Sequence, residues 1–179
     1  MEAEEKMAHA EEHVMQEFSG VRTGKASPAL VENVQVDAYG SQMRLKEMAS
    51  ITTPEPRTLF IQPWDVSTIG PIEKGILKAN LGLNPASDGR VLRLVLPELS
   101  TERRQELVKL TKKMAEDGRI SVRHARRDAM ESVKAESKAG DIPEDDANHA
   151  EKDIQKLTDK YVANIDGHLQ AKEQEIMTV

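Results

Sequence analysis

Four arginines fall within nine residues, in the run Arg119-Ile-Ser-Val-Arg123-His-Ala-Arg126-Arg127. At about 100° per residue a helix gathers them into a stripe about 100° wide. Lys109, Lys112 and Lys134 extend the stripe, and Glu116 and Met130 interrupt it. The apolar positions of the same segment lie about 120° away, so the basic stripe is expected to face solvent. Each guanidinium carries a planar fork of donors that fits two phosphate oxygens, so a row of them suits the phosphates of a nucleic-acid backbone. The same residues also fit a solvated helix face whose arginines find local carboxylates, Arg123 with Asp128 for example.

A second group of candidates is Arg22-Thr23-Gly24-Lys25-Ala26-Ser27-Pro28. Gly20 to Lys25 only superficially resembles a P-loop. The glycines are one residue too close, no Ser or Thr follows Lys25, and a helical pattern precedes it where a strand is required. What remains is a pair of cations around a flexible junction. His9 and His13 lie four apart with no third metal ligand in a suitable place. His124, His149 and His168 have no motif around them. Glu144, Asp145 and Asp146 lack the spacing and glycine of a calcium loop and read as acids at a helix start. No nucleophile motif is present, so no catalytic residue, metal site or cofactor is expected. Trp64 reads as core or rim of its domain.

Composition narrows the classes further. The 179 residues contain no cysteine, which removes disulfides, thiolate metal sites and thiol nucleophiles. Five aromatic residues are too few for a surface that stacks bases on rings. No apolar run is long enough to span a bilayer, and the acidic N-terminus lacks the pattern of a signal peptide. A cytoplasmic protein without membrane contact is therefore expected. A monomer is expected as well. The net charge of -6 argues against nucleic acid until it is divided along the chain. Residues 1–26 sum to -3, 27–100 to -1, 101–138 to +4 and 139–179 to -6.

The elements that must position these residues follow from periodicity. Ala3, Met7, Ala10, Val14, Phe18 and Val21 recur in steps of three and four, predicting a first helix over 1–23. A second is predicted over 101–138, with Leu107, Met114, Val122, Ala125, Ala129 and Val133 on one face and Ser100 as N-cap. Gly118 interrupts this pattern and Gly140 closes it. A third runs from Asp141-Ile142-Pro143-Glu144 to about Met177, with Ile154, Leu157, Tyr161, Ile165, Leu169 and Ile176 aligned. Seven of the eight prolines fall within 27–99, where strands are predicted at 31–39, 43–45, 58–62 and 90–96. A short helix is predicted from Gly70-Pro71-Ile72 to Leu81-Gly82. The fold class is thus α+β. An antiparallel three-helix bundle from 1–25 and 101–179 holds an inserted small mixed α/β, β-rich domain over 30–97. Hinges are expected about 24–30 and 96–101, at Gly24, Ala26, Ser27, Pro28 and Pro97.

The sequence resembles the bacterial ribosome recycling factor family over essentially its whole length. The matching pieces are VRTGKASPAL at 21–30, VDAYG at 36–40, LGLNP at 81–85, LPELSTERRQELVK at 96–109, VRHARRDAM at 122–130 and AEKDIQKLTDKY at 150–161. The resemblance implies a non-enzymatic factor that binds the large ribosomal subunit, through its 23S rRNA, after termination. It also implies that, with elongation factor G and GTP, the factor splits the ribosome to free mRNA and tRNA. It places rRNA contacts at Arg22, Lys25, Arg123, Arg126 and Arg127, to which the stripe adds Arg119. Three positions depart from the family pattern: Lys25 and His124, where arginine and asparagine are usual, and Asn80, where aspartate is usual. The first helix also starts several residues later than is typical. A scaffold-like bundle without an RNA role would explain the helices but not the arginines. An RNA-processing enzyme would explain the arginines but lacks a catalytic set.

Overall fold

A computed structural model describes residues 2–178. The chain divides into two compact units, one comprising residues up to 22 together with 101–178 and the other 23–100.

The first unit is built from α1 (Glu2–Gly20), α3 (Thr101–Ala139) and α4 (Glu144–Thr178). In α1 the steps of three and four bury Met7, Ala10, Val14 and Phe18, which meet Ala115, Val122, Ala125, Tyr161 and Ile165 in one core. Fully burying a side chain such as Met7, Val14 or Ile165 contributes about 1.5–3 kcal/mol. The turn between α3 and α4 is fixed locally. Gly140 has φ +85°, the Gly140 N–H donates to Ser137 O, and the Asp141 N–H donates to Glu136 O. That paired closure is a Schellman motif, which glycine adopts without steric cost. The short connection makes α3 and α4 antiparallel neighbours, so residues equally far on either side of it face each other.

Two buried hydroxyls in this bundle bond back to their own helices, Thr111 to Val108 O and Thr158 to Ile154 O. Gly118 is an integral part of the core. A Cβ built there would lie 2.2 Å from Val14 Cγ2 and 3.5 Å from Ile165 Cδ1. The absence of a side chain lets α1 approach α3 at that turn. At the other end, Arg104 donates to the carbonyls of Ile176 and Met177 at 3.2 and 2.8 Å. It thereby satisfies acceptors that the last turn of α4 cannot pair within the helix.

The second unit has β1 (Gln35–Ala38), β2 (Ser41–Arg44), β3 (Ala49–Glu55), β4 (Thr58–Pro63), α2 (Ile69–Lys78), β5 (Pro85–Asp88) and β6 (Val91–Val95). β1 and β2 form a hairpin, and the other strands form an antiparallel sheet in the order β3-β4-β6-β5. Its core includes Val31, Val36, Leu45, Leu59, Ile61, Ile72, Ile76, Leu92 and Leu94. The hairpin turns on Tyr39 and Gly40, both with positive φ (54° and 75°), the conformation a two-residue turn needs to match strand twist. The Tyr39 hydroxyl donates to the Asp65 carboxylate, tying this turn to the loop after β4. Trp64, in that loop, is 69% exposed and so belongs to the rim.

The structure differs from the sequence expectation in four respects. β3 and β5 were not anticipated. Both are edge strands of mostly exposed residues, and each contains a proline, so neither shows the alternation of a half-buried strand. The predicted strand over 31–39 is shorter, because Pro28–Leu30 forms a 3₁₀ turn and residues 31–34 a further turn before β1 begins. The first helix ends at Gly20 and α2 at Lys78, each a few residues before its expected end. The buried face of α3 runs through Leu107, Thr111, Ala115, Gly118, Val122 and Ala125, with Met114, Ala129 and Val133 only half-buried.

Candidate nucleic-acid interface

The basic stripe lies on α3, and α4 borders one edge of it. Arg119 was expected to face solvent, but its side chain is only 18% exposed. Its Nε donates to Asp166 Oδ1 at 2.7 Å, its Nη2 lies 2.6 Å from the same oxygen, and its Nη1 donates to Glu116 Oε2 at 2.8 Å. A stripe about 100° wide on a helix packed against a neighbour must meet that neighbour along one edge, and Arg119 is on that edge. Its guanidinium therefore joins α3 to α4.

Arg123 turns outward. Its Nη1 donates to Glu116 Oε1 at 3.2 Å, so Glu116 bridges Arg119 and Arg123. The expected Arg123 partner, Asp128, is not the one chosen. Arg126 is half-buried, with its Nη1 3.5 Å from Gln155 Oε1, at the long limit of a hydrogen bond. Gln155 is held in turn by Asp159, to which its amide donates at 2.8 Å. Arg127 is exposed and enters no ion pair among the described residues. Of the lysines extending the stripe, Lys112 lies 3.7 Å from Glu173 on α4. Arg123, Arg126 and Arg127 thus keep most of their donors for an external acceptor, and Arg119 does not.

Glu116 titrates below the ordinary glutamate range. The hydrogen bond from Arg119 is the main cause, the bond from Arg123 adds to it, and desolvation opposes both. A depressed folded pKa contributes stability that is present above the ordinary glutamate pKa and is lost as the pH falls through the depressed value. In a carboxyl-carbon NMR titration Glu116 should have a lower midpoint than the exposed glutamates of α1. Arg119→Gln should return that midpoint toward the ordinary range. An unchanged midpoint would contradict the assigned bridge.

The other candidates divide between the two units. Arg22 is exposed in the unit that contains α1, and Lys25 is exposed in the inserted unit. Gly24 has φ +78°, and a Cβ there would lie 3.2 Å from Leu99 Cγ. Ala26 is buried and its N–H donates to Pro56 O at 2.7 Å. Ser27 caps the 3₁₀ turn that Pro28 opens, accepting from the Ala29 N–H. The Leu96 N–H donates to Arg57 O at 2.8 Å, and Pro97 is exposed just beyond. The segments next to both chain crossings are therefore fastened to the turn between β3 and β4.

His9 and His13 meet no third ligand, and no group of metal-binding side chains forms among the described residues. No helix among them is long and apolar enough to cross a membrane. The residues missed from the sequence are Asp166, Gln155 and Asp159, all on α4. The antiparallel register set by the turn at Gly140 was the signal that could have located them.

Comparison with known proteins places this geometry in a family. A family description for "Ribosome recycling factor" matches residues 14–177. The ribosome-recycling factor of Erythrobacter litoralis is 50% identical over 98% of this chain and 95% of its own. That of Caldicellulosiruptor saccharolyticus is 51% identical over 99% and 96%. A solution structure of a ribosome recycling factor is 43% identical, covers 99% of this chain and 95% of its own, and superposes with a TM-score of 0.72. A second structure is 39% identical, covers 98% of this chain and 95% of its own, and superposes with a TM-score of 0.61. It describes the T. thermophilus ribosome recycling factor and E. coli elongation factor G bound to the E. coli post-termination complex. With two curated relatives about half identical along nearly their whole length, and the helical and β-rich units in the expected order, this chain belongs to the ribosome recycling factor family.

Proposed function

We propose that this chain binds the large ribosomal subunit of the post-termination complex and, with elongation factor G and GTP, splits the ribosome into subunits, releasing mRNA and tRNA. GTP hydrolysis belongs to the elongation factor, and the chain acts as a cytoplasmic, monomeric, non-enzymatic factor. The observation that carries the contact with rRNA is the outward set Arg123, Arg126 and Arg127. Their guanidiniums retain free donors while Arg119 braces the helix pair beneath them. Arg22 and Lys25 supply further phosphate contacts, and Lys25 does so as a point charge without a bidentate fork.

Pelleting with isolated large subunits across a salt series tests this grip. Five neutralised phosphates, one for each of Arg22, Lys25, Arg123, Arg126 and Arg127, should give a slope of log affinity against log salt of about -3.5 to -4.5. Binding indifferent to salt would overturn the phosphate grip.

The proposed hinge excludes Ala26 and Leu96, whose backbone N–H groups are held by Pro56 O and Arg57 O. Gly24→Val would place a β-branched residue at φ +78° and press on Leu99. Subunit splitting should fall several-fold more than large-subunit affinity. Equal losses in the two assays would argue against a hinge at this position.

A further inference from the structure

The inserted unit contains a groove unrelated to the arginine ridge. It encloses about 680 Å³ and lies between α2 and β1. Pro71, Lys74, Gly75 and Lys78 line one wall, and Gln35 and Asp37 line the other. Its floor is a close backbone approach, since a Cβ on Gly75 would lie 2.9 Å from Gln35 O.

The β wall is an edge that α2 covers at Gln35 and leaves open at Asp37. Among the described residues β1 pairs with β2 and with no other strand. Ala38 and Ser41 flank a two-residue turn, so they form a bonded pair and the backbone groups of Gln35 and Asp37 point away from β2. The Gln35 carbonyl meets Gly75, which leaves the outward N–H and C=O of Asp37 for an added chain. Amide side chains of Asn33, Gln35 and Gln42 also line the groove. The opposite wall presents Lys74 and Lys78, both exposed and in no ion pair among the described residues.

We propose that this groove receives an extended acidic peptide segment of a partner protein, with carboxylates at alternate positions. Residues four apart on a helix are displaced by about 6 Å along its axis. Alternate residues of an extended chain are about 6.7 Å apart on one side. Two such carboxylates therefore match Lys74 and Lys78, while the peptide backbone pairs with the edge at Asp37. Nucleic acid fits this groove less well, because its backbone carries no amide N–H and C=O groups to pair with the strand edge at Asp37.

The test is an amide NMR titration of the full chain with a capped seven-residue peptide alternating aspartate and valine. Shifts should be confined to residues 30–42 and 71–79. Lys74→Glu and Lys78→Glu should each weaken binding about two- to five-fold, and the same peptide with lysine in place of aspartate should give no shifts. Three results would overturn the proposal. They are no shifts at millimolar peptide, affinity unchanged in the double variant, or an oligouridylate shifting these amides where the peptide does not.

Discussion

Arg126→Ala should lower affinity for large ribosomal subunits by about 10- to 150-fold, the equivalent of one charge-assisted hydrogen bond of about 1.5–3 kcal/mol. The bundle should remain folded, because Arg126 holds only a 3.5 Å contact to Gln155 within the chain. The salt slope should fall by about one contact's share. Arg127→Ala should behave alike, since that side chain is exposed and has no internal ion pair among the described residues. Arg119→Ala should differ in kind. It removes bonds to Asp166 and Glu116 and so loosens the α3–α4 seam, with loss of helix stability accompanying any loss of binding. Measuring urea unfolding beside pelleting separates the two classes. Equal binding loss without destabilisation in all three variants would contradict the distinction.

The second large effect concerns Gly118. Helix propensity alone predicts that Gly118→Ala stabilises α3 by about 1 kcal/mol. The packing predicts the reverse, because the added methyl would lie 2.2 Å from Val14 Cγ2. Val14 is fully buried, and a β-branched side chain in a helix has one strongly preferred rotamer, so it cannot swing aside without strain. Overpacking costs about 1–3 kcal/mol, so Gly118→Ala should be destabilising by about 1 kcal/mol net, and Gly118→Val by about 3 kcal/mol or more. Val14→Ala should rescue Gly118→Ala, with a coupling of about 1 kcal/mol or more in a double-mutant cycle. A Gly118→Ala variant more stable than the parent would show that α1 and α3 do not meet as closely as described.

These two sites show what the sequence could and could not reveal. Amphipathic steps such as Met7, Ala10, Val14 and Phe18 are local, and they placed the helices and most of the core. The turn at Gly140 was legible for the same reason. Gly118 looked like an interruption, because the cause of its smallness lies on α1, more than a hundred positions away. Arg119 looked like a fourth free guanidinium, because its carboxylate partner Asp166 is on α4. β3 and β5 left little trace, because exposed edges do not impose alternation on their residues. The net charge of -6 concealed the basic ridge, because acids on α1 and α4 offset a segment of +4. Part of that segment's charge is matched by Asp166 and Glu173 on α4, so the outward charge is narrower than the total suggests.

The most direct test of the account follows subunit splitting by light scattering. The purified chain is added to post-termination complexes with elongation factor G and GTP, in parallel with the Arg123→Ala/Arg126→Ala/Arg127→Ala triple variant. Rapid splitting should require the chain, the elongation factor and GTP together, and the folded triple variant should fail to split at the same concentration. Splitting by the triple variant at the parent rate, or none by the parent chain, would contradict the account.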